Sequence, residues 1–296
     1  MSQVKFGTQN QIGLVGLGIM GAPLAQRYLA EGYQVTVWNL EPEKYELVRE
    51  NGAIWADSPT EVWSNSDVAF VCVLGDPAIE SVCLGEQGFA NAKNGASVLV
   101  DLSTTSPDAT SRISSALKSR TGADWIDAPM SGGPQAALEG NLTLMVGGDE
   151  AIFASVQLLL DAIASNVTRM GDLGAGQTAK ILNQAIVGVN YVLMGELLAT
   201  ARAAGIDPTL LPGCLAGGMA DSTILQRIYS QMAADDFDPP RSYARQLNKD
   251  LKSVDAFVNS LGLELPVVAK GIGQYAKYTE AGNEMQDGAS VSRIYE

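Results

Sequence analysis

The chain has 296 residues, of which 46% are hydrophobic and 18% are charged, as in a folded globular protein of about two domains. Its formal net charge of −14 disfavours nonspecific attraction to nucleic acid or anionic lipid, because both partners need a positive surface field. The sequence has no histidine, which excludes Ser-His-Asp and Cys-His nucleophile systems and the commonest zinc ligand. Acid–base chemistry must therefore use Lys, Asp, Glu, Tyr or Cys.

The start of the chain, MSQVKFGTQNQ, lacks the apolar core of a secretory signal, and no run approaches about 20 uninterrupted apolar residues. The three cysteines, Cys72, Cys83 and Cys214, stand far apart among apolar neighbours without metal-ligand spacing, so we expect buried free thiols. Together these features predict a cytoplasmic protein with no metal site and no nucleic-acid or membrane partner.

The first motif is a glycine-rich turn between a short strand and a helix. Residues 12–15 (IGLV) predict the strand, GLGIMG (16–21) supplies the turn, and APLAQRYLAEG predicts a helix that ends near Gly32. A second strand, VTVW (35–38), completes a β-α-β unit. In dinucleotide-binding turns of this form, the first glycine makes the turn, the second admits the pyrophosphate and the third permits close helix packing. An ordinary glycine turn of an α/β protein is the alternative.

Further short apolar segments alternate with helix-like segments. Strands are expected at 68–74, 96–103 and 123–129, and helices at 59–66 and 108–120. This alternation predicts a parallel, doubly wound sheet, whose ligands bind beyond the carboxyl ends of the strands.

The end of the second strand bears on the choice between NAD and NADP. In a typical NAD site, an acidic residue there, about 20 residues beyond the glycines, binds the ribose 2′-hydroxyl. Here the position holds Asn39, which would not repel a 2′-phosphate, and Lys44 is close enough in sequence to meet one. Against this, Leu40 supplies no positive charge and Glu41 would repel the phosphate. On balance the sequence favours NADP, with NAD as the alternative.

A glycine-rich segment, DAPMSGGPQAALEGNLTLMVGG (127–148), is too rich in small residues to be one packed helix. Within it, Ser131, Gly132 and Gly133 offer a hydroxyl and exposed backbone N–H groups, which suit the capture of a small carboxylate. A flexible turn without a ligand is the alternative. The LTLMVGG that follows predicts another strand and turn.

From about residue 176 the pattern changes to long helical periods with no convincing strand. We expect a dinucleotide-binding domain over 1–170 and an all-helical domain for substrate binding and oligomerisation over 171–296, divided in the glycine-rich loop SNVTRMGDLGAG. The first helix, of some 28 residues, is apolar on several faces, which is typical of a bundle or subunit interface. Further helices are expected near 208–217, 222–233, 242–260 and 266–282.

A narrow polar stripe runs along that first helix, because Gln177, Lys180, Asn183 and Gln184 fall at positions i, i+3, i+6 and i+7. Lys180 has two interpretations. It is either a snorkelling lysine at a partly exposed surface, or an ammonium held in a cleft beside amides, ready to exchange a proton with a substrate oxygen.

Motifs along almost the whole chain resemble the β-hydroxyacid dehydrogenase family, which includes 3-hydroxyisobutyrate dehydrogenases, tartronate semialdehyde reductases and glyoxylate/succinic semialdehyde reductases. The motifs, in order, are GLGIMGAPLAQ, DLSTTSP, DAPMSGG with GNLTLMVGG, GAGQTAKILNQ and NKDL at 248–251. The resemblance implies an α/β Rossmann N-terminal domain plus an all-α C-terminal domain. It also implies an NAD(P)-dependent oxidoreductase that interconverts a short 3-hydroxy acid and its semialdehyde.

The resemblance, with the position of Asn39, assigns roles to individual residues. The residues expected to bind the cofactor are Gly16, Gly18, Ile19, Met20, Gly21, Asn39, Thr104 and Lys249. The residues expected to bind a small-molecule carboxylate substrate are Ser131, Gly132, Gly133, Asn183 and Gln184. The expected catalytic residues are Lys180, which donates and accepts the proton, Asn183 and Ser131.

Two positions depart from the family pattern. Gln184 stands where the second amide is often an asparagine, one methylene shorter. The segment FDPPRSYARQLNKD (237–250) lacks the usual glycine and aromatic and offers Arg241 and Arg245 instead. These arginines are either solvated or bind a second anionic group of the substrate.

Two other functions remain open on sequence grounds: an imine reductase-like enzyme of the same architecture, and a dinucleotide-binding sensor without catalysis. Relatives that reduce imines generally lack a lysine at this position, and a sensor would not need Ser131, Lys180 and Asn183 together. The long apolar helix further predicts a homodimer or homotetramer.

Overall fold

The structure, a computed structural model, describes residues 5–296. The chain divides into two compact units, Met1–Lys180 and Ile181–Glu296. The expected fold class, a Rossmann-type unit followed by a helical unit, is confirmed.

Within the described residues, the first unit contains one nine-stranded sheet with the order β3-β2-β1-β4-β5-β6-β8-β7, and β9 pairs with β8. The strands are β1 Gln11–Val15, β2 Gln34–Trp38, β3 Ile54–Trp55, β4 Val68–Val71, β5 Val98–Asp101, β6 Asp124–Asp127, β7 Met130–Ser131, β8 Leu142–Gly147 and β9 Ala164–Gly171.

Helices connect these strands along the first unit. They are α1 Gly21–Ala30, α2 Glu46–Arg49, α3 Pro59–Ser64, α4 Asp76–Leu84, α5 Pro107–Thr121, α6 Pro134–Glu139 and α7 Glu150–Asp161, with short 3-10 turns at Pro42–Tyr45 and Phe89–Asn91. Successive residues of a strand alternate between two buried clusters. Leu14 of β1 and Phe70 of β4 belong to one cluster, and Val15 of β1 and Val71 of β4 belong to the other. Both faces of the sheet are therefore buried, as a doubly wound arrangement requires.

Strands β1 to β6 are parallel, as expected, but β8 runs antiparallel to both β6 and β7. The expectation of a wholly parallel sheet is therefore wrong at this edge. The connection from β7 to β8, residues 132–141, is too short for a parallel crossover between these paired strands, and β6 runs in the same direction as β7. A parallel crossover needs a dozen or more residues.

A second correction concerns residues 164–171, of which 165–171 were expected in the glycine-rich loop. They form β9, which pairs in parallel with β8. Burial along the strand alternates weakly: only Ala164 is fully buried, and Val167, Arg169 and Gly171 are partly buried. A polar edge strand of this kind has no clear apolar period, and this hides it from pattern reasoning.

The second unit is helical, and no strand is assigned in the described part of it. Its helices are α8 Ala175–Ala203, which begins in the first unit, α9 Leu211–Leu215, α10 Ser230–Ala233, α11 Ala244–Ser260 and α12 Pro266–Tyr278, with π-helical segments at Leu225–Tyr229 and Thr279–Asn283 and 3-10 segments at Pro208–Leu210 and Gly288–Tyr295. Helix α8 has 29 residues, close to the expected 28. The helices expected near 208–217, 222–233 and 266–282 are shorter and interrupted.

The core of the second unit brings α8 and α11 into close contact. Leu251 of α11 is fully buried. A Cβ atom added to Gly188 of α8 would lie 2.3 Å from Cδ2 of Leu251. A glycine at 188 therefore lets the two helices approach, and Leu251 fills the space that it leaves.

Two sequence expectations concern the cysteines and membranes. Cys83 is buried, whereas Cys72 is half-buried and Cys214 is exposed on α9, so the expectation of three buried thiols is wrong; all three are free. Helix α8 is long and apolar enough to cross a membrane by length and composition alone, a test that core helices also pass. Among residues 5–296, no cluster of three or more His, Cys, Asp or Glu side chains could hold a metal ion.

We expect Leu251→Ala to lower the free energy of unfolding by about 2–5 kcal/mol, because it removes a buried side chain and leaves a cavity. Leu263→Ala is the matched control, since Leu263 is 49% exposed, and it should change the free energy by less than about 1 kcal/mol. Urea denaturation followed by circular dichroism measures both. Equal losses from the two variants would contradict the packing described for α8 and α11.

Candidate active site

The glycine turn after β1 has no space for a side chain at its first and third glycines. Gly16 has a φ of +102°, and a Cβ there would lie 2.2 Å from the carbonyl oxygen of Cys72. A Cβ at Gly21 would lie 1.8 Å from the carbonyl oxygen of Gly16. No larger residue fits at either position without moving the backbone, so both glycines are required by the turn itself.

The second glycine faces open space. A Cβ at Gly18 would meet nothing within 4 Å, Ile19 is 45% exposed, and Met20 is the N-cap of α1. No side chain caps α1, and its first turn holds no acidic residue. Unpaired N–H groups and the helix dipole favour an anion there. The turn therefore fits the pyrophosphate of a dinucleotide.

Asn39, at the end of β2, anchors this turn from the side. It is 8% exposed, and its Oδ1 accepts a hydrogen bond from the backbone N–H of Leu17 at 2.7 Å. Its Nδ2 donates to the carboxylate of Glu41 at 2.8 Å. The amide is thus committed to protein partners on both sides.

The loop after β5 holds Thr104 between two anchored neighbours. The buried carboxylate of Asp101 accepts hydrogen bonds from the N–H of Ser103 at 2.9 Å and from the hydroxyl of Thr105 at 3.2 Å. The hydroxyl of Ser103 in turn accepts from the N–H of Val73, beyond β4, at 3.0 Å. Thr104 is half-buried at the same sheet edge as the glycine turn.

Burial dominates the ionisation of Asp101. It raises the pKa of this carboxyl to about 7, against the lowering effect of the hydrogen bonds from Ser103 and Thr105. The nearby Asp127 raises the pKa further. The carboxyl groups of Asp101 and Asp127 therefore lie at the same edge of the sheet, each on the last residue of its strand.

Asp127 holds the beginning of α8. Its carboxylate accepts hydrogen bonds from the backbone N–H groups of Gly174 and Gln177, each at 2.8 Å. Burial raises the pKa of Asp127, and these hydrogen bonds oppose that shift. A Cβ at Gly147 would lie 2.5 Å from one carboxylate oxygen, and a Cβ at Gly176 would lie 2.8 Å from the other. Both glycines make room for the carboxylate.

Gln177 ties α8 to the loop that carries Thr104. It is fully buried; its Oε1 accepts from the N–H of Thr105 at 3.1 Å and its Nε2 donates to the carbonyl of Ser103 at 2.9 Å. The spacing of Gln177 assigns it to the polar stripe of α8. In the structure this side chain links α8 to the loop after β5.

Lys180 is buried, with 7% of its surface exposed. Its Nζ donates a hydrogen bond to the carbonyl oxygen of Met130 in β7 at 2.8 Å. The ammonium therefore points into the first unit, toward the strand that leads directly into the SGG turn.

The SGG turn has the backbone conformation that its glycines predict. Ser131 pairs with Thr143 across β7 and β8, and Gly132 and Gly133 have φ values of +142° and +84°. L side chains rarely adopt such values, so glycine is required at both positions. The structure thus brings Ser131, its two glycines and Lys180 to one region of the first unit.

In the second unit, Asn183, Gln184 and Lys249 are joined through a residue that sequence reasoning missed, Asp250. Asn183 donates to Oε1 of Gln184 at 2.7 Å, and Nε2 of Gln184 donates to Oδ2 of Asp250 at 2.5 Å. Lys249 forms an ion pair with Oδ1 of Asp250 at 3.0 Å. Asp250 therefore fixes the orientation of the Gln184 amide.

The two arginines that depart from the family pattern have protein partners. Arg241 forms an ion pair with Asp236, and its backbone N–H donates to Asp287 at 2.7 Å. The guanidinium of Arg245 lies 5.4 Å from the ring centre of Tyr243. Both arginines are exposed.

Sequence reasoning also missed the roles of Asp101, Asp127 and Gln177. One signal was present, because Asp101 and Asp127 lie within the segments expected as strands, near the carboxyl ends where functional residues of such sheets gather. The partners of these carboxylates could not be found in the same way, since Gly174 lies 47 residues beyond Asp127.

Two family models and a curated relative match the chain. Residues 11–171 match the family described as the NAD binding domain of 6-phosphogluconate dehydrogenase, and residues 174–295 match the one described as NAD-binding of NADP-dependent 3-hydroxyisobutyrate dehydrogenase. The 2-hydroxy-3-oxopropionate reductase of Escherichia coli (strain K12) is 38% identical over 259 residues, which is 88% of either chain.

Solved structures agree with this family. The crystal structure of 3-hydroxyisobutyrate dehydrogenase from Salmonella typhimurium has a TM-score of 0.85 and 30% identity, and the match covers 96% of this chain and 99% of that one. An imine reductase from Pseudomonas sp. has a TM-score of 0.60 at 20% identity over 97% of this chain and 99% of that one, which shows a common fold alone.

A Rossmann-type unit with an open glycine turn, followed by a helical unit, defines an NAD(P)-binding oxidoreductase. The chain belongs to the β-hydroxyacid dehydrogenase family, and the resemblance seen in its motifs is confirmed.

The different surroundings of Gly18 and Gly21 give a direct test of the turn. Gly18→Ala should leave the free energy of unfolding within about 1 kcal/mol of wild type but weaken NAD(P) binding by about tenfold or more, since the methyl group enters the space for the pyrophosphate. Gly21→Ala should lower the free energy of unfolding by about 2 kcal/mol or more, because the clash is with backbone. Urea denaturation and calorimetric titration measure these effects. A Gly18→Ala variant with unchanged NAD(P) affinity would contradict this account of the turn.

The raised pKa of Asp101 predicts a pH-dependent stability. Between about pH 4 and pH 7 the folded protein keeps the proton that the unfolded chain has lost, so this residue's contribution to the free energy of unfolding falls as the pH rises. We expect Asp101→Asn to remove about 2 kcal/mol of the decrease between pH 5 and pH 8. Urea denaturation at both pH values measures it, and the exposed Asp108→Asn is the control. Identical pH dependence in wild type and Asp101→Asn would contradict the assignment.

Proposed function

We propose that this enzyme interconverts a short 3-hydroxy acid and its semialdehyde, and that Lys180 gives a proton to the substrate oxygen in reduction and accepts it in oxidation. The observation that supports this most is the burial of Lys180 together with its 2.8 Å hydrogen bond to Met130, next to the SGG turn. The exposed Lys118, by contrast, pairs with a surface carboxylate, that of Asp124.

When bound, NAD(P) supplies or accepts a hydride at C4 of its nicotinamide. The residues of the chain then have two tasks, to hold the substrate and to move one proton. In reduction, the aldehyde oxygen gains negative charge, which the ammonium of Lys180 stabilises as it donates its proton. In oxidation, the neutral amine accepts the hydroxyl proton. This chemistry requires no histidine and no metal ion.

The SGG turn is proposed to bind the substrate carboxylate. The hydroxyl of Ser131 and the backbone N–H groups of Gly132 and Gly133 can donate to it without a cluster of cations. The names of the similar proteins, 2-hydroxy-3-oxopropionate reductase and 3-hydroxyisobutyrate dehydrogenase, describe acids whose reacting C3 is one carbon removed from the carboxylate. This supports a small 3-hydroxy acid as the substrate class.

Further assignments extend this proposal to the remaining residues. Asn183 and Gln184 orient the substrate, with Gln184 held by Asp250, and Lys249 contacts the cofactor. Thr104 contacts the nicotinamide ribose. Residues 1–170 form the NAD(P)-binding domain, and residues 171–296 form the domain for substrate binding and oligomerisation.

We place the enzyme in the cytoplasm, and an apolar stripe on α8 supports a homodimer or homotetramer. Leu182, Ile186, Leu193 and Leu197 follow helical spacing and are 59%, 62%, 40% and 38% exposed. Contiguous exposed apolar surface of this kind marks interaction sites, and a second copy of the chain is the simplest partner.

The substitution Lys180→Met removes the ammonium but keeps a side chain of similar length. We expect kcat to fall by about 10²–10⁴-fold, while the affinity for NAD(P) stays within about twofold, because Lys180 acts on the substrate oxygen. Absorbance at 340 nm with a panel of 3-hydroxy acids measures the rate, and calorimetric titration measures cofactor binding.

Lys252→Met is the matched control, since Lys252 is an exposed lysine of α11. It should leave both kcat and NAD(P) affinity unchanged. A loss of rate of only a few fold in Lys180→Met would contradict proton transfer by Lys180. Retained NAD(P) binding in a wild-type enzyme with no turnover of any 3-hydroxy acid would favour the sensor instead.

A further inference from the structure

The contacts of Asn39 bear on which dinucleotide the enzyme takes. Its Oδ1 accepts from the N–H of Leu17 in the glycine turn, and its Nδ2 donates to Oε2 of Glu41 at 2.8 Å and to the carbonyl oxygen of Glu41 at 3.1 Å. The oxygen and the nitrogen of the amide are therefore both hydrogen-bonded to protein. Asn39 links the glycine turn to the carboxylate of Glu41, and it holds that carboxylate beside the end of β2.

This location is the one at which dinucleotide-binding folds distinguish NAD from NADP. An acidic side chain at the end of the second strand, about 20 residues beyond the glycines, accepts a hydrogen bond from the ribose 2′-hydroxyl. Glu41 lies 20 residues after Gly21 in the sequence. The carboxylate is exposed, so it is accessible to a ligand.

The charged residues near Glu41 also disfavour the binding of a 2′-phosphate. Residues 39–50 contain four carboxylates and two cations. One of the cations, Arg49, is paired with Glu46 at 2.8 Å. Lys44 is the other, on the exposed 3-10 turn that follows Glu41. A 2′-phosphate would therefore enter a region of net negative charge, with a carboxylate fixed at its edge.

We propose that Glu41 determines cofactor specificity and that the enzyme binds NAD in preference to NADP. The proposal rests on the proposed NAD(P)-dependent function. Glu41 accepts a hydrogen bond from the 2′-hydroxyl of NAD and repels the 2′-phosphate of NADP, while Asn39 keeps the carboxylate from turning away. Sequence alone favoured NADP because Asn39 is uncharged; its hydrogen bonds give it a different role, as the residue that positions Glu41.

Calorimetric titration of NAD⁺ and NADP⁺ into wild-type protein, Glu41→Gln and Glu43→Gln tests this. Glutamine at 41 can still accept from Asn39, so the variant removes charge with little change in structure. Glu43 is an exposed carboxylate two residues further along the same turn, and it serves as the matched control. Titration of 5′-ADP and 2′,5′-ADP isolates the contribution of the adenosine half.

We expect wild type to bind NAD⁺ at least about tenfold more tightly than NADP⁺, and Glu41→Gln to reduce that ratio by about tenfold through tighter NADP⁺ binding. Glu43→Gln should change the ratio by less than about twofold. Wild type should likewise bind 5′-ADP more tightly than 2′,5′-ADP. Wild type that prefers NADP⁺, or equal effects of the two variants, would overturn the specificity assignment alone. Failure of wild type to bind any of these nucleotides would overturn the dinucleotide function itself.

Discussion

The carboxylate of Asp127 positions the proposed catalytic lysine. It accepts hydrogen bonds from Gly174 and Gln177, and so fixes the first turn of α8 against the end of β6. Lys180 lies one turn further along, where its ammonium donates to Met130, three residues beyond Asp127. The short segment 127–130 thus binds the beginning of α8 through Asp127 and Lys180 through Met130. The negative charge at the helix N-terminus also complements the helix dipole.

The arrangement explains how a protein with a net charge of −14 can bind acidic ligands. The glycine turn offers backbone N–H groups and the uncapped start of α1, and the SGG turn offers a hydroxyl and further N–H groups. In the proposed mechanism, the buried ammonium of Lys180 supplies the positive charge at the reacting oxygen. Backbone donors do not add to net charge, and burial strengthens the electrostatic effect of a single cation.

Much of this could be predicted from sequence, for physical reasons that are specific to each part. The strands around Leu14 and Phe70 are short apolar runs between turns, and the glycine motif stands between a strand and a helix. Lys180 was singled out by its polar stripe and by family resemblance. The pairing of Asp127 with Gly174, and of Asn39 with Leu17, could not be predicted, because these contacts join residues 47 and 22 positions apart. Strand β9 was missed because its edge position removes the apolar alternation that marks a strand.

The most direct test of the central claim is a crystal structure of the dead-end complex with the reduced cofactor and 3-hydroxyisobutyrate. The account predicts that the substrate hydroxyl lies within about 3.2 Å of the Lys180 ammonium, with the carboxylate on the turn formed by Ser131, Gly132 and Gly133. A hydroxyl bound away from Lys180, with the ammonium still on the Met130 carbonyl and the carboxylate elsewhere, would contradict it.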